Sequence, residues 1–150
     1  MDKETIKQKF NLTDEDLKKP LPVPQKWSKP FWEGAKQHKL LLKKCQDCGH
    51  IDHPPYLYCT NCMSENSKWI EASGRATLYA YCVNEYGVPF YFMPDLPYVV
   101  ALVDLDEGPR MISNIVECDP KELKNGMKLE VVFDDVSPEV TLPKWRPVKE

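Results

Sequence analysis

Cys45-Gln46-Asp47-Cys48-Gly49 and Cys59-Thr60-Asn61-Cys62-Met63 decide how this chain is read. Each cysteine pair is C-x2-C, and ten residues lie between Cys48 and Cys59. Two such turns facing one another supply four thiolates, the donor set of a tetrahedral zinc site. The connection from Gly49 to Tyr58 is short and carries Pro54-Pro55. The spacing therefore predicts a zinc ribbon in which Cys45, Cys48, Cys59 and Cys62 hold one Zn2+. Four protein ligands leave no position for water or substrate, so the expected role of the metal is structural. The three histidines are His38, His50 and His53, and the last two flank Asp52. A histidine ligand is redundant beside four well-spaced cysteines.

The remaining composition is that of a globular chain. At 150 residues, 42% hydrophobic and 29% charged, it can bury one moderate core, or a small domain beside a zinc-stapled module. No apolar run approaches a membrane span, and the Met1-Asp2-Lys3-Glu4 start lacks a signal-peptide pattern. A reducing cytoplasm is the expected location, where paired cysteines bind metal more often than they form disulfides. Cys82 and Cys118 lie outside the knuckles and read as buried small hydrophobes in strands.

Net charge is −3 and unevenly spread. Lys26 to Lys44 holds six lysines and one acid, whereas Ala101 to Glu150 holds seven basic and eleven acidic residues. An acidic C-terminal half argues against bulk nucleic-acid binding. The basic stretch reads either as a solvated helix face or as a site for a small anion such as a phosphate.

Outward from the knuckles, residues 2–10 suit a short helix with Ile6 and Phe10 on one face, and residues 13–17 suit a capped helical turn. Pro20, Pro22 and Pro24 impose an extended linker, and Ser28-Lys29-Pro30 restarts a helix with Ser28 as its cap. Leu40-Leu41-Leu42 leads into the first knuckle as a ribbon strand. After the turn signal Ser73-Gly74 the pattern becomes β-rich. Arg75–Asn84 alternates, placing Ala76, Leu78, Ala80 and Cys82 on one face. Tyr98–Leu105 is nearly continuous, as for a strand buried on both sides. Arg110–Glu117 and Lys128–Phe133 follow, with a capped turn at Asp119-Pro120 between them. Thr141-Leu142 reads as a last short strand, and Pro143–Glu150 as a tail.

Three strands in meander, a short helix and one or two further strands match a five-stranded Greek-key barrel of the OB type, with an SH3-like barrel or a sandwich fragment as the alternatives. The expected architecture is mainly β with short N-terminal helices. It divides into a helical segment over 1–38, a zinc ribbon over 39–70 and an OB-fold domain with its tail over 71–150. The aromatic, proline-rich stretch Glu85–Pro97 either folds over one mouth of the barrel or contacts a substrate or partner.

One ordered combination points to a family. Phe31-Trp32 precedes Lys39-Leu40-Leu41-Leu42 and the first knuckle. Pro54-Pro55 precedes the second, and Trp69, Gly74, Gly108-Pro109-Arg110, Asp119-Pro120 and Gly126-Met127 follow. Over residues 27–147 this resembles the zinc-ribbon/OB-fold proteins that accompany thiolases and related acyl-CoA enzymes. Within that family it is most similar to small subunits of the benzoylsuccinyl-CoA thiolase type, from anaerobic breakdown of aromatic compounds. The resemblance implies a rubredoxin-like ribbon and a non-catalytic accessory subunit. Its partner would be a thiolase-like catalytic subunit, and it would help to bind CoA or acyl-CoA or to assemble the complex. Two departures stand out. The second knuckle lacks the family's Pro and Gly, and Trp145-Arg146-Pro147 stands where Phe is usual.

A CoA binder needs positive charge and an aromatic or apolar shelf. Lys39 and Lys43, with Lys36 and Lys44 beside them, Arg75 and Arg110, and Tyr86 and Phe90 are the candidates. No nucleophile–base constellation is legible, so any thiolysis is expected to use the partner's cysteine. Two other readings stay open: a nucleic-acid-binding ribbon/OB protein, and a purely architectural subunit that never touches CoA.

Overall fold

The computed structural model describes residues 1–149. It begins with α1 (Lys3–Phe10), whose N-cap Asp2 accepts from the Thr5 N–H and whose C-cap is the left-handed Asn11. Residues 14–17 form a turn rather than the expected helical turn, although Thr13 and Asp16 bond to each other as a cap would. α2 (Lys29–Lys36) carries Pro30 in its first turn. Ser28 caps it in position only, because its hydroxyl donates to the Gln25 carbonyl instead of accepting from the helix. Gly34 is the close-packing point of α2. A Cβ there would lie 2.6 Å from Leu41 Cγ, so only glycine lets the helix sit this close to the ribbon.

The ribbon is a three-stranded antiparallel sheet of β1 (Leu41–Cys45), β2 (Ile51–Asp52) and β3 (Ser67–Glu71), with β1 in the centre. The chain then closes a five-stranded barrel in the order β4 (Arg75–Asn84), β5 (Tyr98–Leu105), β6 (Arg110–Ile115), β8 (Thr141–Pro147), β7 (Lys128–Asp135). β7 returns to pair with the start of β4. The β6–β8 contact is parallel and joins Ile115 to Trp145. This is the Greek-key closure of an OB fold.

Four expectations need correction. β4 has the predicted bounds, but a register shift between Leu78 and Ala80 turns its second half over. Ala76 and Leu78 are buried, whereas Cys82 is exposed and is not a core residue. β5 buries Val99, Ala101, Val103 and Leu105 while its alternate residues stay half-buried, so it is one-sided rather than covered on both faces. The strand from Arg110 stops at Ile115, and Glu117 takes a left-handed φ of 57°. Finally, the assumed tail is most of β8. Pro143 and Trp145 lie inside it, and Trp145 is wholly buried. Cys118 is half-buried against the core margin.

One core runs through both modules. Phe31, Leu40 and Leu42 from the ribbon side belong to the same cluster as Leu78, Val103, Leu129 and Trp145 of the barrel. Trp145 matters most by volume, and its indole Nε1 has no hydrogen-bond partner. The Glu85–Pro97 stretch contains a 3-10 turn, Phe90–Asp95, which packs against α1. No helix among the described residues is long and apolar enough to cross a membrane.

Candidate metal centre and ligand surface

The two knuckles fold by the same local rule. The N–H four residues after each first cysteine returns to that cysteine's carbonyl: Gly49 to Cys45 at 3.1 Å, and Met63 to Cys59 at 2.9 Å. Each donor residue is left-handed, with φ of 76° at Gly49 and 61° at Met63. Glycine takes this conformation freely, whereas Met63 takes it against its Cβ.

Polar cross-links hold the knuckles face to face. Asp47, inside the first, accepts from Ser64 Oγ at 2.5 Å and Asn66 Nδ2 at 2.8 Å, both just beyond the second. Thr60, inside the second, donates to buried Asp52 at 2.5 Å, and His50 lies 3.2 Å from the same hydroxyl. The locking is reciprocal, and it offsets the Pro and Gly that the second knuckle lacks. Sequence reading missed Asp47, Asp52, Thr60, Ser64 and Asn66. The one available signal was a small polar residue inside each C-x2-C turn.

The result is a ready metal site. All four Sγ atoms lie within 4.8 Å of one another. Cys45–Cys62 and Cys48–Cys59 are each separated by 3.6 Å. Tetrahedral zinc with bonds near 2.3 Å needs sulfurs about 3.8 Å apart, so the donor set fits one structural Zn2+. Cys45 and Cys59 are buried and the other two face outward. The His50 N–H, helped by the Asn61 amide, draws the Cys48 thiol down to about 6. The Ser64 N–H pulls the same way at Cys62, but the thiols of Cys48, Cys45 and Cys59 outweigh it and push that group up to about 12. Four sulfurs this close ionise together only around a cation, and zinc supplies that charge. The histidines stay outside the ligand set: His38 bonds Asp135 at 3.1 Å and stacks on Phe133, and His53 packs against Phe31.

The six candidate CoA residues do not converge. Lys43 Nζ donates to the carbonyls of Tyr56 (2.6 Å) and Leu57 (3.0 Å), pinning the loop before the second knuckle. Lys39 pairs with Glu71 at 3.5 Å. Arg110 makes two bonds to Asp104, at 2.7 and 3.1 Å, and lies 3.3 Å over the Tyr79 ring. Its positive charge is held by that carboxylate, which in turn is kept below the usual carboxylate range. Arg75 is exposed, has no ion-pair partner among the described residues, and lines a cleft of about 570 Å³ with Lys128. Tyr86 is 84% exposed, and Phe90 packs on Phe10 with ring centroids 5.2 Å apart. Arg75 opens the ten-residue β4, which spans roughly 30 Å at strand rise, and Tyr86 lies beyond its far end.

The comparisons with known proteins fit this architecture. Residues 32–66 match the family described as ChsH2, rubredoxin-like zinc ribbon domain, and residues 69–134 match ChsH2, C-terminal OB-fold domain. A probable enoyl-CoA hydratase alpha subunit from Thermomonospora curvata is 38% identical over 78% of this chain, which spans only 36% of that protein. A DUF35 domain-containing scaffold protein from Methanocaldococcus jannaschii is 33% identical over 68% of this chain and 73% of its own length. The benzoylsuccinyl-CoA thiolase subunit BbsA of Geobacter metallireducens is 29% identical over 63% of this chain and 57% of its own. Among solved structures, a chain of the Ltp2-ChsH2(DUF35) aldolase superposes with a TM-score of 0.77 and 35% identity, over 85% of this chain and 98% of that one. With a four-cysteine ribbon, a closed barrel behind it and these relatives, the chain belongs to the DUF35 family of zinc-ribbon/OB-fold proteins.

Proposed function

We propose that this protein is a non-catalytic, zinc-containing accessory subunit of a thiolase-type acyl-CoA complex. In this reading it helps to assemble the complex and to bind CoA or acyl-CoA. The observation that carries the proposal is the match to 98% of the DUF35 chain of the Ltp2-ChsH2 aldolase, knuckles and barrel together. The first name joins such a chain to a second component in an aldolase, and BbsA is named as a subunit of a benzoylsuccinyl-CoA thiolase. The BbsA likeness supports aromatic-acid breakdown as one setting, and the higher identity to a hydratase alpha subunit supports other acyl-CoA settings equally.

For the anionic end of CoA, Arg75 in the barrel cleft is the favoured cation, with Lys128, which donates to Thr77 Oγ1 at 2.9 Å, beside it. Lys36 and Lys44 beside the ribbon are the next. Lys39, Lys43 and Arg110 already serve contacts within the chain. The same accounting weighs against nucleic acid. On the barrel face where OB folds lay polymers, Lys19 is paired with Asp95 and Lys144 with Asp134.

The test is co-purification of the tagged full chain from its own cells, followed by mass spectrometry. A near-stoichiometric thiolase-like subunit is expected. Nucleic acid without a large protein partner, or acyl-CoA turnover by the isolated chain, would overturn the reading. Arg75→Glu separates CoA binding from pure architecture: the complex should still assemble, with weakened acyl-CoA affinity.

A further inference from the structure

A concave groove of about 750 Å³ crosses the outer face of the barrel. Its floor is the outward side of β5, β6 and β8, with Val100, Ile112 and Leu142. Phe92 and Asp95 of the 3-10 turn stand on one side and Val136, just after β7, on the other. Apolar side chains are left uncovered here: Ile112 is 67% exposed and Val136 is 38%.

The charged groups around this floor are already matched. Lys19 pairs with Asp95, Lys144 with Asp134 at 2.5 Å, and Glu117 with Arg146 at 2.7 Å. Ser113 Oγ donates to the Pro143 carbonyl at 2.7 Å, and Asn114 Nδ2 to the Val99 carbonyl at 3.0 Å. A phosphate or carboxylate entering the groove would have to break an ion pair. A sugar or a base edge would lose hydration and find few free partners. An uncharged, apolar group loses nothing of the kind and covers Ile112 and Val136.

The N-terminal segment supplies one wall. Phe10 packs on Phe90, and Lys19 lies 5.8 Å over the Phe92 ring while bonded to Asp95. Residues 1–31 precede the stretches matched by the family domains.

We propose that the groove binds the acyl group of an acyl thioester, an uncharged apolar moiety, and that the segment carrying Phe10 and Lys19 closes one side of it. The inference rests on the acyl-CoA reading above and separates the acyl group from the anionic end of CoA, which has no place here.

The experiment is a titration of the isotope-labelled full chain with S-benzoyl-N-acetylcysteamine, a neutral thioester without the nucleotide, followed by amide chemical shifts. The expected result is saturable shifts at Val100, Ile112 to Val116 and Leu142. Affinity should fall about tenfold in Ile112→Asp and in Val136→Asp, because a charge then enters an apolar contact. Both positions are surface-exposed, so fold and zinc content should hold. No shifts at millimolar thioester, or wild-type affinity in both variants, overturns the proposal. So does a face that becomes protected only by a thiolase subunit and ignores the thioester. The titration uses the isolated chain, whereas the accessory reading fails only if no thiolase-like subunit co-purifies, so the two failures are distinguishable.

Discussion

Met63 and Gly49 occupy equivalent positions in the two knuckles, and only one of them is suited to a left-handed φ. The strain at Met63 is of order 1 kcal/mol. Met63→Gly is therefore expected to stabilise the ribbon by about 1 kcal/mol at most, less the entropy that glycine adds to the unfolded chain. It should also slow zinc release to a chelating dye. Faster release would show that the Met63 side chain, which is 70% exposed, holds something glycine cannot. Trp145 poses the opposite problem, a fully buried ring with an unpartnered N–H. Trp145→Ala should lose about 3–5 kcal/mol through the cavity it leaves. Trp145→Phe removes ring volume but also the orphan donor, whose burial costs about 1–3 kcal/mol, so the two effects should cancel to within about 1 kcal/mol. Urea unfolding of both variants checks this. A Phe variant as unstable as the Ala variant would mean that the indole N–H is satisfied in solution.

The turn after β2 carries a pH-dependent contribution. Burial pulls His53 down to about 4, and its Nδ1 is enclosed without a partner while the ring packs on Phe31 of α2. A folded value below the ordinary 6.5 means that the unfolded chain binds the proton first as pH falls. The stabilisation is complete above pH 6.5 and is lost between there and about pH 4, on the order of 2 kcal/mol after allowing for partial exposure. His53→Leu should flatten the stability profile across that window in the zinc-loaded protein. An unchanged slope would place the titrating group elsewhere. At this scale the sequence was legible wherever local rules act. The knuckle spacing, the bounds of β4 and the Asp119 cap are all satisfied within a few residues. It was not legible where a distant partner decides. The bulge after Leu78 is imposed by pairing with β5, and it sent Cys82 outward. β8 was hidden because two prolines break its pattern, and because Trp145 becomes a core residue only once the barrel closes. The lysines and arginines looked available because their carboxylate or carbonyl partners, Glu71, Tyr56 and Asp104, come from other strands and loops.

For the whole molecule, the shared core makes the metal a support for the barrel as well as for the ribbon. Phe31, Leu40 and Leu42 are each 5% exposed or less and pack into the same cluster as Trp145 and Leu129. α2 also lies against β8. Without zinc a ribbon of this size does not hold its knuckles, since metal binding and folding are one equilibrium in such modules. Its loss would uncover these three side chains and their barrel contacts. At about 1.5–3 kcal/mol for each large apolar side chain, that is roughly 5–9 kcal/mol for the three, comparable with the whole stability of many domains. Zinc removal is therefore expected to lower the barrel's melting temperature sharply and in a single transition. Calorimetry of the protein with and without a stoichiometric chelator, alongside far-ultraviolet circular dichroism, reads this directly. A barrel that melts at the same temperature after zinc has left would mean that the ribbon docks on an already finished core. In that case Trp145, and not the four cysteines, would be where the fold is held.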